Sequence, residues 1–242
     1  MQEFAAPLSQ EDYVKRLIAA NNKLLADAKY LQTYPPDVIE PWTIAIVEYG
    51  ARIIFQRQKF VQEFRAEVKK AYHDLVSDRE EPGVIEEPDM SYASLTGLKP
   101  ETTREDIKAL LSDELQQRQA EERRRGTTLV GPHRDDVHLT LNGMSMQQFA
   151  SQGQHKTMLI ALKVAEFQYL KERRQEVPVV LLDDVFSELD ERRSRFLLSM
   201  ASRLGQTFIT TTDEAVFRDV IHWNGGHRKF YVNAGTVTSV NG

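Results

Sequence analysis

Apolar residues recur at every third or fourth position over residues 9–33. Tyr13, Leu17, Ala20, Leu24 and Ala28 mark the stripe, which is the spacing of one face of an α-helix. Ser9, with Asp12 three residues on, caps its start, and Pro35 and Pro36 end it. A second stripe of Trp42, Ile46, Tyr49, Ile53, Phe60, Phe64 and Leu75 predicts a helix over about 40–76. Arg52, Arg57, Lys59, Arg65 and Lys69 fall on its other faces. Two long helices joined by a short proline turn make an αα-hairpin, with the stripes as its core.

The pattern then changes. The acidic segment DREEPGVIEEPD (78–89) carries two prolines and a glycine and reads as a loop at a module edge. MSYASL (90–95) alternates enough for a short strand. A third helix is predicted over 103–125, capped by Thr102 or Thr103 and stopped by Gly126. TTLV (127–130) reads as a strand, and VHLTLNG alternates at Val137, Leu139 and Leu141 before turning on Asn142–Gly143. From residue 151 the order is helix, strand, helix, strand, helix, which implies a parallel α/β sheet. RKFYVNAGTVTSV closes the chain as a hairpin. The predicted organisation is a helical lobe over 1–88 and an α/β module over 89–242.

Composition narrows the function. The chain has 242 residues, 41% of them hydrophobic, which suffices for one large core or two modest ones. A formal net charge of −5 argues against a bulk polyanion binder, so any nucleic-acid contact needs a local basic patch. There are no cysteines, so disulfides, thiolate nucleophiles and Cys-ligated zinc are excluded. The start, MQEFAAPLSQEDYVKRL, lacks the basic and apolar regions of a secretory signal. No apolar run reaches 18 residues. These features predict a soluble, cytoplasmic protein with no membrane span.

The candidate chemistry centres on VVLLDD. An apolar run of this length suits a central strand covered on both faces. Asp183 and Asp184 fall at its carboxyl end, where parallel α/β sheets bind their ligands. Asp183 is suited to hold Mg²⁺ through water, and Asp184 to polarise an attacking water. The plainer reading is a pair of solvated acids at a strand end. SQGQHKT (151–157) opens an apolar helix, with Ser151 and Gly153 where an anion would meet free N–H groups. The plainer reading there is an ordinary serine cap. SELD follows the two acids, and GQTFITTTD is a strand that ends in Thr210, Thr211, Thr212 and Asp213.

In that fixed order the segments resemble an ABC-type ATPase head. SQGQ resembles its signature, VVLLDD its Walker B strand, SELD its D-loop and ITTTD its switch strand. LVGPHRDD, FASQGQ, LLDDVFSELD and FITTTD together are similar to the RecF family, bacterial recombination-mediator ATPases related to SMC and Rad50 heads. LSQEDYVKRLIAANNKLL and PWTIAIVEYGARIIFQRQKFV resemble that family's helical lobe. The resemblance runs from about residue 8 to the end. It implies an α/β, P-loop NTPase fold: a partial ABC-type head with an α-helical hairpin lobe. The 242 residues contain no G-x-x-x-x-G-K-[ST]. The family carries that motif before its helical lobe, so the chain is expected to match the C-terminal two-thirds. This chain alone is therefore expected to be inactive. His155-Lys156 stands where the family has Gln-Arg, and His155 reads as an exposed surface residue.

The same resemblance implies roles. Ser151, Gly153 and Gln154 would meet the γ-phosphate of ATP held by a partner subunit in an ATP-dependent homodimer. Asp183 would organise Mg²⁺, Asp184 would orient water, and Asp190 would lie across the dimer interface. Thr211 and Thr212 would offer hydroxyls where many ABC proteins have His, which implies slow hydrolysis. Arg134 of the GPHRDD loop would reach phosphate, with Asp135 or Asp136 orienting it. A salt-bridged loop is the plainer alternative. The resemblance also implies double-stranded and gapped DNA as ligand, RecR and RecO as partners, and loading of recombinase at gaps. Arg118, Arg123, Arg124, Arg125, Arg192, Arg193 and Arg195 form basic clusters, although solvated helix faces explain them as well, with Glu121 and Glu122 offsetting the first. A rival reading is a non-catalytic, partner-docking module. A generic SMC or Rad50 head fits less well, because two helices of ~25–35 residues, about 40–50 Å at 1.5 Å per residue, are too short for their coiled coil.

Overall fold

The computed structural model describes residues 9–76, 86–189, 191–217, 221 and 226–240. Helix α1 (Gln10–Tyr30) starts at Ser9, whose hydroxyl oxygen accepts from the Asp12 amide at 3.1 Å. Its buried face is Val14, Leu17, Ile18, Asn21, Leu25 and Ala28. Most of the predicted stripe is one position off: Tyr13 is exposed, and Ala20 and Leu24 are half-buried. Asn21 explains the shift. It interrupts the apolar run in sequence, yet it is buried, donating from Nδ2 to Thr128 Oγ1 at 2.9 Å. A buried amide is tolerated when it has such a partner.

Helix α2 (Pro36–Val76) begins four residues before its predicted start. Pro36 opens the helix where a stop was predicted, because the first helical position has no use for its missing N–H. Ile46, Ile53, Phe64 and Leu75 are buried as predicted. Phe60 is exposed instead and stacks on Phe64 with ring centroids 5.1 Å apart. Strand β1 (Pro88–Ala93) precedes helix α3 (Arg104–Arg125). Thr103 caps α3 in a reciprocal pair with Asp106, and Gly126 ends it at φ 74°, a left-handed conformation that glycine adopts without strain.

Residues 127–130 do not form the predicted strand. Their amides are used by side chains: Thr128 donates to Asn22 Oδ1 at 2.6 Å and Leu129 to Glu122 Oε1 at 2.7 Å. Strand β2 (Asp136–Leu141) turns on Asn142 and Gly143, at φ 52° and 75°, into β3 (Met144–Ser145). Two positive φ values are what a tight hairpin turn requires. The antiparallel order is β1-β2-β3, with Met90 opposite Leu139. A short helix α4 (Met146–Phe149) follows.

Helix α5 (Gln152–Arg174) leads to strand β4 (Val180–Asp183), a 3₁₀ turn (Val185–Glu188), helix α6 (Glu191–Leu204) and strand β5 (Thr207–Thr210). β4 and β5 pair in parallel, as the helix–strand alternation predicts. After β5 the described residues form a 3₁₀ turn (Glu214–Phe217) where a helix was predicted. Strands β6 (Lys229–Asn233) and β7 (Thr236–Val240) make the predicted closing hairpin. The expectation that β4 is covered on both faces fails. Leu181 and its ladder partner Phe208 are 72% and 52% exposed, while Leu182 and Ile209 are half-buried. Helix α6 packs on β5, and burial alternates along both strands, so only one face of the ladder is covered.

The chain forms two compact units, Met1–Lys69 with Val84–Ala150, and Lys70–Gly83 with Ser151–Gly242. The division does not fall at residue 88. Leu95, Ile107, Leu111, Leu115 and Val130 share one core with Val14, Leu17 and Ile18 of α1 and Ile46, Ile53 and Ile54 of α2. In the second unit, Met158, Ala161 and Ala165 of α5 and Leu197, Leu198 and Ala201 of α6 are buried. Among the described residues no helix is long and apolar enough to cross a membrane.

Candidate functional site

The strand-end acids are held by one hydroxyl. The parallel register sets Asp183 beside Thr210. Thr210 Oγ1 donates to Asp183 Oδ1 and accepts from the Asp184 amide at 3.1 Å, while the Thr210 carbonyl accepts from the same amide at 3.2 Å. Asp184 has φ 48° and ψ 27°. Left-handed backbone is costly for a residue with a Cβ and persists where neighbours over-determine it. Here Thr210 does so from both its side chain and its backbone. Both acids are exposed, so two carboxylates stand at the carboxyl end of a parallel strand. The sequence singled out the acids but gave Thr210 no separate role. Its position in register with Asp183 was the available signal.

The other two threonines differ. The Thr211 hydroxyl donates to the Asp213 carbonyl at 3.2 Å and accepts from the Asp213 amide at 3.2 Å, a local turn typical of this residue type. Thr212 is exposed. Asp190 lies outside the described residues.

The start of α5 is built by a reciprocal cap. Ser151 Oγ accepts from the Gln154 amide at 3.2 Å, and Gln154 Oε1 accepts from the Ser151 amide at 2.8 Å. Among the described residues, no group accepts from the Gln152 or Gly153 amide. These two N–H groups sit at the positive end of a 23-residue helix, where an anion is favoured. Gly153 was singled out as a place for close ligand approach. What approaches it here is Arg193 of α6: a Cβ at Gly153 would lie 3.3 Å from Arg193 Nη2. Arg193 Nη2 donates to the Gly153 carbonyl at 3.3 Å, and Nε donates to Thr157 Oγ1 at 2.9 Å. Arg193 is thus no solvated face residue. His155 is exposed, as expected.

Arg134 belongs to the other compact unit. Its loop turns at Gly131, with the Arg134 amide donating to the Gly131 carbonyl at 2.9 Å. Arg134 Nη2 donates to the Thr128 carbonyl at 3.2 Å, and the side chain is otherwise exposed. Asp135 does not orient it. The Asp135 side chain, 4% exposed, accepts from Arg57 Nη1 at 3.1 Å, from Ser94 Oγ at 2.6 Å and from the Tyr92 hydroxyl. Burial and the Asp135 charge push the Tyr92 phenol well above its ordinary value. Arg57 also donates to the Pro132 carbonyl at 2.6 Å and pairs with Glu11 at 3.0 Å. This network joins α1, α2, β1 and the loop. The helical pattern had placed Arg57 on an outer face, and nothing in it marks so distant a partner. His133 Nε2 lies 3.2 Å from the Thr128 carbonyl, and burial pushes the imidazole below its ordinary value.

The basic clusters are largely spoken for. Arg118 and Arg125 pair with Glu121 at 3.1 and 2.5 Å, Arg123 lies over the Tyr34 ring, and Arg195 pairs with Glu191 at 2.5 Å. Glu122 does not offset them. It is buried, and its carboxylate faces the Leu129 amide.

Comparison with known proteins gives a consistent answer. A DNA replication and repair protein RecF from Chloroherpeton thalassium is 40% identical over 208 residues, covering 85% of this chain and 55% of that protein. One from Salinibacter ruber is 34% identical over 229 residues, covering 93% and 54%. A solved structure of the recombination mediator protein RecF with ATP superimposes with a TM-score of 0.78 at 28% identity, over 94% of this chain and 56% of that one. The chain is homologous to RecF over the share that it spans. That share is about half the length of the curated RecF proteins it matches. No protein-family model matches. The fold is the one the RecF resemblance implies: α/β, the ABC-type ATPase head in part, with a helical hairpin lobe. The acids of β4 and the Ser151–Gln154 turn belong to that partial head.

Proposed function

We propose that this chain supplies the signature, Walker B and D-loop part of a RecF-type, ATP-dependent DNA-repair protein. The observation that carries the reading is the Asp183–Asp184 pair, fixed by Thr210 at the open end of a parallel strand. ATP, with Mg²⁺, supplies the phosphoanhydride whose terminal phosphoryl group is transferred to water. In this reading Asp183 holds Mg²⁺ through water, as its exposed oxygens suit that ion. Asp184 orients the attacking water and takes its proton. Ser151, Gly153 and Gln154 present a hydroxyl and helix-end N–H groups to the γ-phosphate on a partner subunit, and Asp190 lies at that contact. Thr211, Thr212 and Arg134 complete the phosphate contacts. Positioning and charge neutralisation are most of what phosphoryl transfer needs. Hydroxyls in place of an imidazole make turnover slow, a timer for dimer lifetime.

The biological setting proposed from the RecF relatives is recombinational repair and replication restart in the cytoplasm. Double-stranded and gapped DNA, RecR and RecO are the partners, and loading of recombinase at gaps is the outcome. A second reading, a partner-docking module without its own nucleotide site, is favoured by the exposed Leu181 and Phe208.

Asp184→Asn separates the two. The change keeps shape and removes the carboxylate that positions water. With a P-loop-bearing segment co-expressed, the variant should bind ATP like the native chain, lose turnover and accumulate as a closed dimer on gel filtration. A variant that binds ATP yet stays monomeric, or that hydrolyses at the native rate, removes Asp184 from the chemistry.

A further inference from the structure

The segment that leaves Asp184 is anchored at three points. At its start, the Asp184 amide is held by Thr210. Phe186 is buried on the way, edge-on to Phe217 with ring centroids 6.4 Å apart. Nine residues after Asp184, Arg193 in the first turn of α6 reaches Gly153 and Thr157 in the first two turns of α5. The contact is specific in three respects. Two different nitrogens of the guanidinium are used, Nε on Thr157 Oγ1 and Nη2 on the Gly153 carbonyl. Thr157 is 1% exposed, and its hydroxyl donates a hydrogen bond to the same carbonyl at 2.9 Å, so it accepts from Arg193 and donates to Gly153 in one chain. A Cβ at Gly153 would lie 3.3 Å from Nη2, so the guanidinium end would have to give by a few tenths of an ångström. The Gly153 φ is not positive, so space and not backbone freedom explains the glycine. A planar fork with fixed donor directions makes this contact, and an ammonium would not reproduce it.

We infer that Arg193 is a positioning residue: it clamps the Ser151–Gln154 turn to α6 and so ties that turn to the segment carrying Asp183 and Asp184. The inference rests on the nucleotide reading proposed above. Through the clamp, a phosphate engaged by the α5 turn pulls on the stretch that leads back to the water-orienting acid. The two functional elements of one chain then respond as one body to a partner's nucleotide. Gly153 serves the phosphate turn indirectly, by admitting the arginine that holds it.

The test uses amide hydrogen exchange on this chain with two variants. Arg193→Lys keeps the charge and loses the fork. Exchange at 155–158 should accelerate roughly tenfold or more, as expected when a charge-assisted bond that closes a helix end is lost. Gly153→Ala deletes no hydrogen-bonding group and only displaces the guanidinium, and it should accelerate exchange at 185–189, far along the chain from the substitution. A purely local role for Arg193 leaves 185–189 at the native rate in Gly153→Ala, and that result overturns the inference. So does native exchange at 155–158 in Arg193→Lys. With a P-loop-bearing segment co-expressed, Arg193→Lys should bind ATP within about twofold of native while losing ATP-driven dimer, a split that simple destabilisation does not produce. Ser151→Arg serves as the control for the underlying reading. If it dimerises normally, the nucleotide reading fails. If it blocks dimerisation while Arg193→Lys does not, only the positioning role fails.

Discussion

Single residues decide more here than the sequence pattern suggests, and the decisive ones are polar. Asn21, Arg57, Glu122, Thr157 and Arg193 were read as surface or gave no signal. Most find a partner far away in sequence: Asn21 with Thr128, Arg57 with Asp135, Arg193 with Thr157, whereas Glu122 meets the nearby Leu129 amide. Periodicity reports which face of a helix is apolar, and it carries no information on which polar residue has a partner on another element. The places of Asp183 and Asp184 at a strand end and of Ser151 at a helix start were readable because local pattern alone sets them. Glu122 offers a direct check. Burial holds its carboxyl above the ordinary value, with the Leu129 and Val130 amides opposing. The folded chain therefore binds this proton more tightly than the unfolded chain. The group's contribution is most favourable below the ordinary carboxylate range and is lost as pH rises toward the elevated value. Glu122→Gln keeps an acceptor for Leu129 and has no charge to bury. Relative to the native chain, its stability against denaturant should improve between about pH 4 and about pH 7. An offset equal at both pH values would show that burial does not raise the Glu122 carboxyl above its unfolded value.

At the scale of elements, helices were read well and strands less so. α1 begins where Ser9 dictates, and α3 begins and ends where Thr103 and Gly126 do. Pro36 was misplaced because a proline both stops and starts helices, and only the following turns tell which. Residues 127–130 look like a strand, but their amides are taken by Asn22 and Glu122, which leaves no ladder to join. β4 shows the limit of composition. VVLL has the makeup of a strand covered on both faces, yet Leu181 and Phe208 lie open. A parallel pair of strands is seldom left bare, so this face is suited to a partner. Replacing Leu181 and Phe208 with Thr should change the stability of the chain by less than about 1 kcal/mol, as at other exposed sites. Phe186→Ala, at a residue 3% exposed, should cost about 3–5 kcal/mol. Comparable losses from the two changes would mean that the open face is covered in solution.

For the molecule as a whole, the predicted boundary at 88 separated a helical lobe from an α/β module, whereas one compact unit pairs α1 and α2 up to Lys69 with β1–β3 and α3. Core sharing, which linear order does not encode, draws that line. The order of short motifs carried the family where no single one did, and RecF relatives from different organisms agree. The central proposal is that these 242 residues, which contain no P-loop motif, hold one part of a nucleotide site. Calorimetric titration with ATP and Mg²⁺ tests it, on this chain alone and on the chain co-purified with the part of the Chloroherpeton thalassium relative that the match leaves uncovered. The chain alone should show no saturable binding, and the pair should bind with a defined, Mg²⁺-dependent midpoint. Tight binding by the chain alone, or none by a pair that co-purifies, would contradict the account.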